Sequence, residues 1–204
     1  ILGYPRIGAQ RELKKVTEAY WKGDVSRDEL EAAGQALRLA HWQTQQAAGL
    51  DMVSVGDFAF YDQVLNVSVM LGAVPSRFQA QDEVNAGHVD LDTAFRMARG
   101  RAPSGTPAAA CEMTKYFDTN YHYLVPELHP GQTFTLASTR LFDEVDEALK
   151  AGFTPKVTLT GPLTWLWLGK TKGSDFNRLE LLDSVLDVYS ETLSRLATQG
   201  IEWV

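Results

Sequence analysis

Arg11, Lys14 and Lys15 follow the turn Gly3-Tyr4-Pro5-Arg6-Ile7-Gly8, and basic side chains at that spacing fall on one face of a helix, because residues three and four apart are neighbours. Arg offers a planar fork for carboxylates, Lys a mobile point charge, and a helix N-terminus adds free N–H groups and a partial positive charge. The set suits an anionic ligand that carries carboxylates, and the glycines of the turn allow the backbone to come close to it. A solvated helix face is the competing reading, since charge runs usually mean only that. A second stretch, Glu112-Met113-Thr114-Lys115-Tyr116-Phe117-Asp118-Thr119-Asn120-Tyr121-His122-Tyr123, adds Lys115 among aromatic rings. His122 there could act as a base or a ligand. Strand alternation instead puts it on the face opposite Tyr121 and Tyr123, where a hydrogen-bonded structural histidine fits better.

Other chemistries lack their residues. Neither G-x-G-x-x-G nor the P-loop pattern occurs, and no G-x-S-x-G elbow is present. The single Cys111 has no C-x-x-C partner, and the histidines at 41, 88, 122 and 129 do not recur at the spacing of helical metal ligands. With 19 Lys+Arg against 26 Asp+Glu, a formal net charge of -7, the surface argues against a nucleic-acid partner, so any bound anion must be met locally. No apolar run reaches the roughly 18 residues of a membrane span, and the first residues lack the parts of a signal peptide. The composition reads as a cytoplasmic globular chain with enough apolar residues, 45%, for a core of about one domain.

The elements that would position these residues alternate in type. Helices are predicted over 11–22 and 26–48, the second opened by Ser26 and Glu29 at capping-box spacing. A short apolar strand, 52–56, leads to Asp57, and the apolar pattern of 58–71 predicts a helix broken by Gly72 and Pro75. Residues 75–87 read as a polar surface loop and 92–99 as a short helix. The Gly-, Pro- and Arg-dense stretch 99–107 reads as a loop, either mobile or on the substrate side. Strands are expected at 121–125, at 134–138 and, most clearly, at 156–160. A helix over 139–151 lies between the last two, and a long one over 176–199 carries Leu179, Leu182, Val185, Leu186, Tyr189, Leu193 and Leu196 at helical spacing. The alternation points to an α/β fold with a parallel sheet, whose strands end in residues that suit the C-terminal rim where barrel enzymes place function. Four or five strands do not close an eight-stranded barrel. The chain opens without methionine on Ile1-Leu2-Gly3 and stops at Ile201-Glu202-Trp203-Val204, which looks like the start of a strand, so a longer protein is expected.

Four separated motifs carry a family resemblance across the whole chain. Leu2-Gly3-Tyr4-Pro5-Arg6-Ile7-Gly8 with Arg11-Glu12-Leu13-Lys14, then Asp57-Phe58-Ala59-Phe60-Tyr61-Asp62, then the aromatic block 112–123, then Gly161-Pro162-Leu163-Thr164-Trp165, resemble the N-terminal half of the cobalamin-independent methionine synthases. The resemblance implies an α/β fold of the (β/α)8 TIM-barrel type, with residues 1–204 an incomplete N-terminal portion of the first of two barrels. It implies methyl transfer from a 5-methyltetrahydrofolate polyglutamate to homocysteine, without cobalamin, by a protein that is a monomer when complete. Zinc would sit in the second barrel, on ligands beyond this chain, and this part alone would be inactive. Carried over by motif, Arg11, Glu12, Leu13, Lys14, Lys115 and Asn120 would help hold the glutamate tail, in agreement with the charge argument. The alternative is a scaffold half, with Trp165, Trp167 and the 176–199 stripe buried between barrels. A free-standing enzyme of the related decarboxylase type would also suit carboxylate recognition by Arg, but the unfinished barrel counts against it.

Overall fold

The Ser26 hydroxyl accepts from the Glu29 amide at 3.2 Å while Glu29 Oε2 accepts from the Ser26 amide at 2.7 Å, closing the capping box that the sequence predicts. The computed structural model describes residues 1–79 and 88–204. In chain order the elements are α1 (Glu12–Lys22), α2 (Arg27–Ala47), β1 (Val53–Val55), α3 (Gln63–Met70), α4 (Leu91–Arg99), β2 (Met113–Lys115), β3 (His122–Leu124), β4 (Glu127–Leu128), α5 (Arg140–Lys150), β5 (Pro155–Val157), α6 (Pro162–Leu168), β6 (Lys170–Thr171) and α7 (Leu182–Thr198), with 3-10 turns at Ser76–Phe78 and Arg178–Leu181. The described strands form three two-stranded sheets, β1 with β5 and β4 with β6 parallel, β2 with β3 antiparallel. This is a mixed α/β chain in two units, Ile1–Phe60 with Arg140–Leu159 and Leu196–Val204, and Tyr61–Thr139 with Thr160–Arg195. No described helix is long and apolar enough to cross a membrane.

In the first unit β1 and β5 pair in register Val53↔Pro155 to Val55↔Val157, with both valines of β1 and Val157 buried. Helix α2 pins the strand: Trp42 Nε1 donates to Ser54 O at 2.9 Å, and Gln45 Oε1 accepts from Ser54 N at 2.9 Å. Gly56 ends the strand at φ +87°, and a Cβ there would lie 2.7 Å from the Thr158 carbonyl oxygen, so only glycine fits. At the chain end Val157 N donates to Trp203 O at 3.0 Å, but residues 201–204 form no strand ladder of the kind the sequence pattern predicts.

Between α2 and α5 lies an enclosed ion cluster. Arg38 Nη2 meets Glu147 Oε2 at 2.6 Å and Arg38 Nη1 faces Glu144 Oε1 at 3.7 Å, with the Arg38 and Glu144 side chains 8% and 5% exposed. Glu147 already neutralises Arg38, which leaves Glu144 as the surplus acid. Burial pushes Glu144 from its ordinary 4.5 up to about 7, against the pull of Arg38 and Arg140 and with some help from Glu147. The folded state therefore holds a proton on Glu144 that the unfolded chain has released between those values. Its stabilising contribution is complete below pH 4.5 and fades as the pH rises through about 7. Glu144→Gln is expected to flatten the fall in unfolding free energy between about pH 5 and 8, measured by urea titration; an unchanged slope would refute this assignment.

The second unit is built around Val64, Val67, Leu71, Val125, Trp165 and Val185, all buried. Helix α3 starts five residues later than the apolar pattern predicts. Asp62 caps it by accepting from Val64 N and Leu65 N, while Phe58, Ala59 and Phe60 are buried in loop conformation, so their apolar character marks core rather than helix. Residues 134–138 form no strand, although Ala137 N donates to Met70 O at 2.8 Å. The strand expected at 121–125 is β3, and the predicted long helix begins as a 3-10 turn before α7. Of the predicted loop 75–87, residues 76–78 form the first 3-10 turn and 80–87 lie outside the described residues. The loop 99–107 is tied down: Asp92 Oδ2 accepts from Ser104 N at 3.2 Å, and Ala108 N donates to Gly100 O at 2.9 Å.

Candidate functional site

Arg11 is the residue before α1 rather than a member of it, with left-handed φ 63° and ψ 38°. Its amide donates to Gly8 O, and Leu13 N donates to Ile7 O, both at 3.2 Å, so the turn is folded against the helix start. Gly8 is left-handed too, and a Cβ on it would collide with the Glu12 carboxylate. Upstream, Tyr4 N donates to Asp57 Oδ2 at 2.6 Å and the Tyr4 ring lies 4.6 Å from the His41 ring.

The sequence-derived site residues of this first unit divide by role. Leu13 is 1% exposed and anchors α1 in the core. Glu12 folds back, its Oε2 accepting from Gln10 N at 2.9 Å; hydrogen bonds from its own amide and from Gln10 hold it below the ordinary carboxylate range. Arg11, Lys14 and Lys15 are exposed, and Lys14 lies 3.7 Å from Glu18 in a half-exposed i,i+4 pair. Lys14 and Lys15 in the first turns, with Arg11 beside them, oppose the positive end of the helix dipole, an arrangement that an anion would relieve.

Lys115 and Asn120 belong to the second unit, on the hairpin formed by β2 and β3. Lys115 pairs with His122 in the register, and both are exposed. His122 Nδ1 lies 2.9 Å from Asn120 O, so its ring supports the backbone of the hairpin tip, as the structural reading of this histidine expects. Tyr116 sits against Phe117, Tyr121 and Tyr123 in edge-on contacts of 4.8 to 6.0 Å. Thr119 and Tyr121 close the tip, with Tyr116 N donating to Tyr121 O at 2.6 Å and Thr119 Oγ1 to Tyr116 O at 2.7 Å.

The two described non-glycine residues with positive φ are Arg11 (63°) and Phe117 (50°), one in each candidate segment. Such backbone costs on the order of 1–3 kcal/mol and clusters at functional positions. Sequence reasoning gave no role to Asp62, whose buried carboxylate joins α3 to the hairpin. The cap signal was available in the sequence, whereas the partners near residue 121 were not. Cys111 is buried beside Arg77 and Glu127, and burial, followed by the Glu127 charge, pushes its thiol up to about 12, which leaves it unreactive. Among the described residues no three His, Cys, Asp or Glu side chains come together to hold a metal.

Both motifs belong to one family. Residues 1–204 match the model of the N-terminal domain of the cobalamin-independent synthases, and the chain belongs to that family. Over 203 residues it is 59% identical to the 5-methyltetrahydropteroyltriglutamate--homocysteine methyltransferase of Proteus mirabilis (strain HI4320), 58% to that of Serratia proteamaculans (strain 568) and 57% to that of Yersinia pestis (strain Pestoides F). Each alignment takes in 100% of this chain and 26% of the relative, so the chain spans about a quarter of the length of the curated relatives it matches.

Proposed function

We propose that this chain is the N-terminal part of a cytoplasmic, monomeric methyltransferase that moves the methyl group of a 5-methyltetrahydrofolate triglutamate to homocysteine, giving methionine. The observation that carries this reading is the 59% identity, along 203 residues, to a methyltransferase named for a triglutamate donor. In this reading residues 1–204 are an incomplete first (β/α)8 barrel, in keeping with the parallel pairing of β1 with β5 within the first unit and of β4 with β6 within the second. Among the described residues no cluster of His, Cys, Asp or Glu fits a zinc site, and the proposal puts zinc on ligands elsewhere in the protein.

This part binds and orients. Arg11, Lys14 and Lys115 meet the tail carboxylates, Asn120 adds a hydrogen-bonding amide, Glu12 holds the turn before α1, and Leu13 fixes the helix in the core. Tail binding remote from the reacting atoms raises the rate when it fixes the methyl group in line with the sulfur, because only interactions that favour the transition state accelerate the reaction.

The test is Lys14→Ala and Lys115→Ala in the full-length enzyme. Exposed charge pairs contribute about 0.2–1 kcal/mol, so each change is expected to raise the KM for the triglutamyl donor about 1.4- to 5-fold, with less effect on the monoglutamyl donor. Unchanged affinity for the triglutamyl donor in both variants would reject the role.

The scaffold reading has one observation in its favour. Trp167, Leu163 and Leu179 are 67%, 57% and 54% exposed, an apolar surface of the second unit that a further part of the protein would cover. Trp165, grouped with Trp167 in that reading of the sequence, is fully buried within the second unit and does not contribute.

A further inference from the structure

Asp62 is 1% exposed and its two oxygens accept from four donors. Val64 N at 3.2 Å and Leu65 N at 2.9 Å form the cap of α3. The other two donors come from the aromatic hairpin, Tyr121 Oη to Oδ1 and Leu124 N to Oδ2, each at 3.0 Å. Tyr121 Oη in turn accepts from Gln63 N at 3.2 Å, so the phenol is held from both sides. A helix cap alone needs one short polar side chain, which Ser or Asn supplies about as well as Asp. A buried carboxylate is costly unless its oxygens are satisfied, and here that satisfaction depends on the hairpin being in place.

The two hairpin donors straddle β3, one just before it and one at its end. Lys115 pairs with His122 of that strand and Asn120 immediately precedes Tyr121, so fixing β3 fixes both. The tip they flank carries the left-handed Phe117, a conformation that persists only where the surroundings over-determine it. We infer that Asp62 is a positioning residue for the glutamate-tail site: through Tyr121 and the Leu124 amide it locks the hairpin onto the start of α3 and so holds Lys115 and Asn120 where the tail is met. This inference rests on the tail-binding reading above.

The variants Tyr121→Phe, which spares the helix cap, and Asp62→Asn, which replaces one acceptor oxygen by a donor, test it in the full-length enzyme. Each is made alone and together with Lys115→Ala. Tyr121→Phe is expected to lower the preference for the triglutamyl over the monoglutamyl donor about 2- to 10-fold, with the change carried in KM, and to add less than about 2-fold once Lys115 is gone. Hydrogen exchange at the Tyr116 and Leu124 amides is expected to accelerate in both variants while that of β1 stays unchanged. Equal loss for both donors, full additivity with Lys115→Ala, or unchanged hairpin exchange would overturn the inference. If Lys115→Ala alone leaves the triglutamyl KM unchanged, the tail reading itself fails and this role fails with it. If Lys115→Ala has its effect and Tyr121→Phe has none, only the role of Asp62 fails.

Discussion

Arg38→Met is expected to destabilise the first unit by about 3–5 kcal/mol, the cost of leaving buried acids without their cation. Arg38 reaches Glu147 through Nε as well as Nη2, faces Glu144, and lies 5.0 Å above the Phe58 ring, so the change strips a guanidinium from two carboxylates and an aromatic face together. The loss should be larger at pH 8 than at pH 5. Without Arg38, Glu144 loses the guanidinium that opposes its burial and holds its proton more tightly, and neutralising it by protonation becomes harder as protons become scarce. The triple variant Arg38→Met, Glu144→Leu, Glu147→Met removes the charges as a set and is expected to recover to within about 1 kcal/mol of the parent, because apolar replacement of a whole buried ion cluster is often neutral or favourable. Urea unfolding of the full-length protein followed by hydrogen exchange in β1 provides the measurement. A single variant that loses less than about 1 kcal/mol would show that Arg38 is not the counter-charge of this cluster.

Trp165→Ala should cost the second unit about 3–5 kcal/mol, the usual range for removing a large aromatic side chain from a packed interior. Trp165 is 0% exposed, its Nε1 donates to Ser68 Oγ at 3.1 Å, and the Phe134 ring meets it edge-on at 5.5 Å. Ser68 would keep a partner, since its hydroxyl also donates to Val64 O at 3.1 Å, so the cost comes from the cavity and lost apolar burial rather than from a stranded polar group. Trp167→Ala, two residues on, provides the contrast: at 67% exposure it is expected to change stability by no more than about 0.5 kcal/mol. Similar losses in the two variants, read by hydrogen exchange at the β3 amides, would contradict this division of the α6 tryptophans.

Which parts of this structure were legible beforehand follows from how local their causes are. Helix α2 was legible because its capping box lies within four residues, and β1 because a short apolar run bounded by turn residues has one obvious use; the strand expected at 156–160 is met only in part, since β5 runs Pro155–Val157 and residues 158–160 lie outside it. The helix expected from residue 58 failed because an apolar segment buried as loop has the same composition as one buried as helix, and only the Asp62 cap marks the true start. Strand β2 is polar and mostly exposed, while β4 and β6 are two residues each, too short for any period to show. At the candidate site the cations at 11, 14 and 15 announced themselves by charge and spacing. Leu13 and Asn120 entered only through the family resemblance. Asp62 closes one of the motifs, but its role in the hairpin is not legible there, because its hairpin partners lie 59 and 62 residues away and nothing local points to them.

The salt dependence of donor affinity bears most directly on the claim that cations of this chain hold the glutamate tail. Affinities of the full-length enzyme for mono- and triglutamyl 5-methyltetrahydrofolate, measured across a range of ionic strength, should fall more steeply for the triglutamyl donor. Replacing Lys14 and Lys115 together by Ala should bring the two slopes toward each other, since exposed pairs are the ones that salt screens. Parallel slopes in the unaltered enzyme would contradict the claim.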